Sequence, residues 1–188
     1  ALDFFTKLTA VKAVKHLALS FTPMPEDTRH NIIAVPPLLR KEVLQMKPES
    51  GRYLHGYMLN AGFSEDVISW HEKHPEVELR FFWDNWDAGK EYNVDDALTF
   101  YLIDDKEFLR QMSGCRAFAS TAGFESICEA IYMGKPILMV PSHIEQEINA
   151  FDAERFGAGI VCERFDLSKL IEFADSYQPK VEFKNWVD

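Results

Sequence analysis

Apolar residues in this chain follow two alternating rhythms. Short apolar runs predict strands at 51–59, 77–84, 97–103, 116–120, 135–141 and 158–163. Between them, apolar positions recur at helical spacing and predict helices over 64–74, 104–114, 123–133, 145–157 and 166–177. The punctuation agrees with this division. Ser64 and Asp104 stand where a side-chain oxygen caps a helix start, and Glu107 follows Asp104 as a second acidic residue in the first turn. Gly134 follows the helix 123–133 as a left-handed stop, and Gly157 closes the helix that begins at 145. Residues 85–96 carry no period and read as a loop.

The first part of the chain is less regular. Phe5, Leu8, Val11, Val14 and Leu17 lie near helical spacing and predict a short helix over 1–17. "HLALSFTP" (16–23) predicts a strand ended by proline, and "MPEDTRHN" (24–31) is polar. In "IIAVPPLLRKEV" (32–43), Pro36 and Pro37 hold the backbone extended, which suits a linker or the entry to a domain.

Alternating strands and helices define an α/β class, with a Rossmann-like parallel sheet covered by helices on both faces. Ligands of such sheets lie beyond the carboxyl ends of the strands, where strand order reverses. The loops to inspect are therefore 60–62, 84–87, 103–105, 120–123 and 141–146. "STAG" (120–123) has four small residues at a helix start. Small side chains let an anion reach the unpaired amides there, and Thr121 and Ser126 add hydroxyls. The alternative is that Ser120 or Thr121 is an ordinary cap and Gly123 serves tight packing. Glu125 and Glu129 are four residues apart and share a helix face. A carboxylate at Glu129 can accept both hydroxyls of a ribose, or can simply be solvated. Glu145 and Gln146, beside His143, offer acceptors and donors to a polyhydroxylated ligand, or merely open a surface helix.

Bulk composition narrows the partners. The chain has 188 residues, 47% hydrophobic and 13% aromatic, which excludes a disordered class. Its net charge of −10, with no basic run, lacks the footprint of a nucleic-acid binder. Cys115, Cys128 and Cys162 are scattered, as reduced thiols would be, and no zinc pattern occurs. The aspartates at 84, 87, 95, 96, 104 and 105 are explained by caps and loops without a metal. No run approaches a membrane span, and no GxGxxG marks a dinucleotide site.

The order of these signals resembles a known family. Glu129, then Gly134, Lys135 and Pro136, a strand, and "EQEINA" (145–150) are similar to the nucleotide-sugar signature of GT-B glycosyltransferases. The spacing resembles the glucuronosyl and plant secondary-product transferases, and "LIDD" (102–105) resembles the bacterial N-acetylglucosaminyltransferase that makes lipid II. The double-proline stretch resembles the entry into the C-terminal domain of such enzymes. The resemblance covers roughly residues 32–177. It implies a donor-binding domain over 36–178, preceded by a remnant and linker (1–35) and followed by a tail (179–188). It further implies that the full protein moves a sugar from a nucleotide-sugar, of the UDP class, to an acceptor with inversion. In that case Thr121, Ala122, Gly123 and Ser126 form the diphosphate turn, joined by Asn60 and Ala61 of the first loop. Glu129 takes the ribose, Ile103 meets the base with its backbone, and Glu145 and Gln146, with His143 beside them, meet the donor sugar. Thr121 stands in place of the signature's His, and Glu125 in place of its Asn; a carboxylate there is expected to point away from an anion. The nucleotide-sugar is a substrate, so no cofactor or metal is implied. The acceptor and any catalytic base belong to an N-terminal domain that this chain does not contain, and the implied location is cytoplasmic, bacterial, and peripheral to the inner membrane. A nucleotide-sugar 2-epimerase of the same fold and a non-catalytic binding module are the alternatives.

Overall fold

The computed structural model describes residue 11 and residues 13–188. A parallel pair, β1 (His16–Leu19) with β2 (Ile32–Val35), precedes the main sheet. That sheet comprises β3 (Leu54–Met58), β4 (Leu79–Trp83), β5 (Glu91–Asn93), β6 (Leu98–Leu102), β7 (Ala117–Ser120), β8 (Ile137–Met139) and β9 (Gly159–Val161). The strands lie in the order β5-β6-β4-β3-β7-β8-β9, all parallel except β5, which runs antiparallel to β6. The chain runs outward from β3 through β4 to β6, returns to β7 on the other side of β3, and runs outward again. Strand order therefore reverses between β3 and β7, and a ligand crevice is expected at their carboxyl ends.

Among the described residues, seven helices connect and cover these strands: α1 (Lys41–Gln45), α2 (Ser64–His71), α3 (Asp105–Gly114), α4 (Phe124–Tyr132), α5 (Ile144–Arg155), α6 (Leu167–Ser176) and α7 (Val181–Val187). One apolar layer joins Phe82 and Phe118 of the sheet to Phe108, Ile127, Ala153 and Phe183 of α3, α4, α5 and α7. The other joins Leu54, Phe81 and Leu138 to Val67, Trp70 and Leu170 of α2 and α6. Adjacent Phe81 and Phe82 thus enter opposite layers, as the pleat requires. Each buried phenylalanine contributes on the order of 2 kcal/mol through area removed from water.

The alternation read from the sequence is present, with each element trimmed by a few residues. The helix expected over 1–17 falls largely on residues 1–10 and 12, which lie outside the described residues, while His16 and Leu17 belong to β1. Ser64 is not a cap. The chain enters α2 through a 3-10 turn at Ala61–Phe63, and Ser64 Oγ donates to Ala61 O. Asp104 does cap α3, accepting from the Glu107 amide at 2.9 Å. Gly134 (φ 70°) and Gly157 (φ 74°) are left-handed stops.

Four elements were not foreseen. β2 and the start of α1 lie inside the expected linker 32–43, β5 lies inside the expected loop 85–96, and α7 lies inside the expected tail 179–188. The tail helix is anchored: Phe183 is fully buried, and Trp186 Nε1 donates to Ser20 O at 3.0 Å. Phe21 lies 5.2 Å from the Phe124 ring and 6.3 Å from Phe183. The first and last described segments are thereby clasped beside α4.

Candidate functional site

The turn after β7 is built to leave a helix start open. β7 is buried throughout, so Ser120 is held at the end of a central strand. Ser120 Oγ accepts from the Ala122 amide at 3.0 Å, which bends the chain sharply. Ala122 takes φ 65°, a left-handed conformation that costs a non-glycine residue on the order of 1 kcal/mol. Asn149 of α5 holds the strained peptide, its Nδ2 donating to Ala122 O at 3.2 Å. Gly123 then caps α4 with no side-chain hydrogen bond. Neither Ser120 nor Thr121 caps the helix, and among the described residues no side chain accepts from the first amides of α4. A Cβ on Gly123 would meet only Ser126 Oγ, at an ordinary 3.6 Å. Gly123 is thus not demanded by packing; it leaves space in front of the amides.

That space is part of a cleft of 460 Å³ lined by Gly123, Ser126, Tyr57, Glu125 and Glu145 among others. Ser126 Oγ donates to Gly123 O at 3.0 Å. Thr121 and Ala122 are buried within the turn and do not line the cleft. Glu125, expected to point away, stands on the cleft wall, because side chains in a helix lean back toward its amino end. Across the strand-order reversal, Tyr57 pairs with Ser120, and the loop that follows β3 carries Asn60 and Ala61. Asn60 Oδ1 accepts from the Gly62 amide at 2.6 Å and so orders its own loop.

The turn into α5 supplies the next wall. Glu145 is exposed and lines this cleft and an adjoining one of 680 Å³. Gln146 is buried, and its Oε1 is committed to the turn, accepting from Ser142 N at 2.9 Å and Ser142 Oγ at 2.8 Å. His143 is exposed at the start of α5 and makes no capping bond. Ile103, 37% exposed, follows β6, three strand positions from β7, which is about 14 Å at ordinary strand spacing.

Between the β6 loop and α4 lies a feature that sequence spacing did not reveal. Glu129 is only 2% exposed, and its carboxylate is gripped by Arg40 through a two-bond fork: Nε to Oε1 at 2.6 Å and Nη2 to Oε2 at 2.7 Å. Arg40 Nη1 also lies 3.3 Å from Asp105 Oδ1, and the guanidinium sits 5.9 Å from the Phe108 ring centre. Hydrogen bonding to Glu129, with added pull from Asp105 and Glu125, raises the Arg40 pKa and keeps it charged. Arg40 therefore bridges the β6 loop to α4. Its partner is 89 residues away in sequence, so no local pattern could have paired them.

The opposite, amino ends of the strands are sealed. Lys135, buried, donates to Glu49 O at 2.5 Å and Cys115 O at 2.8 Å, closing the backbone below β3 and β7. The lysine of the "GKP" stretch is thus a structural plug. His55 is fully buried among Phe82, Phe108 and Phe118, and burial pushes its pKa down to about 3. Among the described residues, no group of three or more His, Cys, Asp or Glu side chains is placed to hold a metal ion, and no helix is long and apolar enough to cross a membrane.

A parallel sheet with its crevice beside β3 and β7, an uncapped helix start and a buried glutamate further along α4 define the class: this is one half of a GT-B glycosyltransferase fold. A family model described as Glycosyl transferase family 1 matches residues 4–176, and the chain belongs to that family. A stretch of 54 residues is 39% identical to the putative UDP-glucuronosyltransferase ugt-48 of Caenorhabditis elegans, covering 29% of this chain and 10% of that protein. Among solved structures, the glycotransferase of kitacinnamycin superposes with a TM-score of 0.64 at 16% identity, over 92% of this chain and 50% of that one. LpCGTa, solved in complex with UDP, gives 0.56 at 18% identity, over 84% of this chain and 43% of that one. The chain spans about half the length of these solved relatives, and at such identities the likeness is one of fold.

Proposed function

We propose that this chain is the donor half of a glycosyltransferase, holding a nucleoside diphosphate sugar, UDP-linked, for transfer to an acceptor bound by another half. The observation that carries this reading is the open start of α4, set at the strand-order reversal and held in a strained turn by Ser120 and Asn149. A diphosphate placed there meets unpaired amides and the positive end of the helix dipole, worth about 1–2 kcal/mol in a partly buried setting. As the bond from sugar to phosphate breaks, negative charge grows on the departing diphosphate. The same amides then bind more tightly than they did in the ground state, which is what accelerates transfer. Asn60 and Ala61 approach from the neighbouring loop, Ile103 offers its backbone to the base, Glu129 accepts the ribose hydroxyls, and Glu145, with Gln146 and His143 nearby, faces the sugar. The nucleotide-sugar is a substrate, and the site uses no resident cofactor or metal.

The UDP bound to LpCGTa, and the name of the Caenorhabditis elegans relative, a putative UDP-glucuronosyltransferase, favour uridine. The acceptor and the base that would drive inversion are assigned to an N-terminal half. β1 and β2 fit its margin: a lone two-stranded parallel pair is not a self-sufficient sheet, and Leu17 and Leu19 remain exposed on it. A cytoplasmic site, peripheral to the inner membrane of a bacterium, follows from the same resemblance. Calorimetric titration with UDP, GDP and UDP-sugars tests the reading. UDP is expected to bind, with at least tenfold loss in Glu129→Ala. Failure of the folded chain to bind any nucleotide contradicts it.

A further inference from the structure

The place assigned to the ribose is already filled. Glu129 is 98% enclosed, and both of its oxygens are taken by one guanidinium at 2.6 and 2.7 Å. No ligand hydroxyl reaches that carboxylate while Arg40 stays where it is. Arg40 itself is 37% exposed, at the junction between the extended Pro36–Leu39 segment and α1, so its side chain has an open way out. Along that way stands Asp105, 86% exposed and already 3.3 Å from Nη1.

We propose that Arg40 is a latch: it occupies the ribose seat in the free protein and swings toward Asp105 when a nucleotide enters, handing the Glu129 carboxylate to the two ribose hydroxyls. The proposal rests on the donor-site reading above. The exchange conserves hydrogen bonds. Two N–H donors leave the carboxylate and two O–H donors replace them, so the buried anion is never left bare. Charge is conserved as well. Glu125, Glu129 and Asp105 all pull on Arg40, and an arriving diphosphate adds further negative charge. A guanidinium that moves aside by one side-chain length, rather than departing, keeps the site from accumulating unopposed anions. The latch also guards the fold, because an empty site would otherwise bury a lone carboxylate.

A latch reduces apparent affinity by the fraction of molecules in which it is open. Loosening it should therefore tighten nucleotide binding, the reverse of what loss of a ligand-contacting arginine would do. Arg40→Lys keeps the charge but cannot form the fork, and Arg40→Gln removes the charge while retaining a donor. UDP is titrated by calorimetry into the wild-type chain and both variants, with folding checked by circular dichroism. Arg40→Gln is expected to bind on the order of tenfold more tightly, and Arg40→Lys several-fold more tightly. Should Arg40→Gln fail to fold, Arg40→Lys carries the comparison. In the wild type, the guanidinium Nε–H resonance of Arg40 should shift as UDP saturates. If UDP binds the wild type but the variants bind equally or more weakly, or if the Arg40 resonance stays fixed, the latch is overturned and the donor site stands. If no folded form binds UDP, both are overturned.

Discussion

α3 and α4 begin in the same way and end up with opposite tasks. Both follow a parallel strand at the carboxyl edge of one sheet, and both carry acids in the first turn. At α3, Asp104 turns its carboxylate onto the Glu107 amide, and the helix start is satisfied from within the chain. At α4 the cap is Gly123, and no side chain of the described residues takes that place. The preceding residue is strained instead, and a neighbouring helix holds it down through Asn149. An uncapped start is common in this chain; what sets α4 apart is that its start lies at the strand-order reversal, behind a strained turn and facing a cleft. The strain at Ala122 is tolerable because β7 and α5 over-determine the turn.

The largest perturbation sets the limits of the comparison, since it acts on both turns at once. His55 lies beneath them, 4.9 Å from Phe108 of α3 and 5.4 Å from Phe118 of β7. Its folded pKa of about 3 is below the unfolded value of 6.5, so below pH 6.5 the unfolded chain binds the extra proton. Stability is complete above 6.5 and is lost as pH falls toward 3, by an amount on the order of 4 kcal/mol. Urea unfolding at pH 7, 5 and 4 measures the slope, and His55→Leu should flatten it; an equal slope in the variant would place the acid sensitivity elsewhere.

Next in size is an exchange of caps. Gly123→Asp gives α4 the cap that α3 has, at a backbone geometry that accepts one (φ −65°, ψ 133°). The helix should gain about 0.3 kcal/mol while UDP affinity falls at least a hundredfold, because a carboxylate is then placed where the proposed diphosphate would sit. The milder Gly123→Ala should leave stability within about 0.5 kcal/mol and still cost roughly tenfold in affinity. In the other direction, Asp104→Ala uncaps α3 and should cost about 1 kcal/mol in thermal unfolding with UDP affinity unchanged. The smallest effect is at Glu125. Removing its charge from the cleft wall in Glu125→Gln should tighten UDP binding two- to fivefold in calorimetry, with the gain shrinking as salt is raised.

Much of this contrast is legible in the sequence, and the remainder fails for definable reasons. Asp104 and Glu107 announce a capped start, and "STAG" offers an open one beside an ordinary cap at Ser120 or Thr121, because both signals lie within one turn of chain. Ser64 misled because a 3-10 turn capped by Asn60 precedes α2 and displaces the cap upstream. β5 was hidden because Glu91–Asn93 is an exposed edge with no buried face to impose a period. α7 was hidden because a single buried residue, Phe183, anchors it. Gln146 reads as a ligand-facing amide in sequence, yet its carbonyl closes on Ser142. The Arg40–Glu129 fork joins the segment after the prolines to α4, 89 residues apart in sequence, and only the fold could bring those two together.

Amide chemical shifts of the folded chain during a UDP titration test the contrast most directly. The account predicts that the amides of Gly123, Phe124, Glu125 and Ser126 move furthest and saturate together, while those of Lys106, Glu107 and Phe108, at the capped start of α3, move less, and only as far as Arg40 settling on Asp105 carries them. Large shifts at α3 with a silent α4, or saturation that leaves residues 123–126 unchanged, would contradict it.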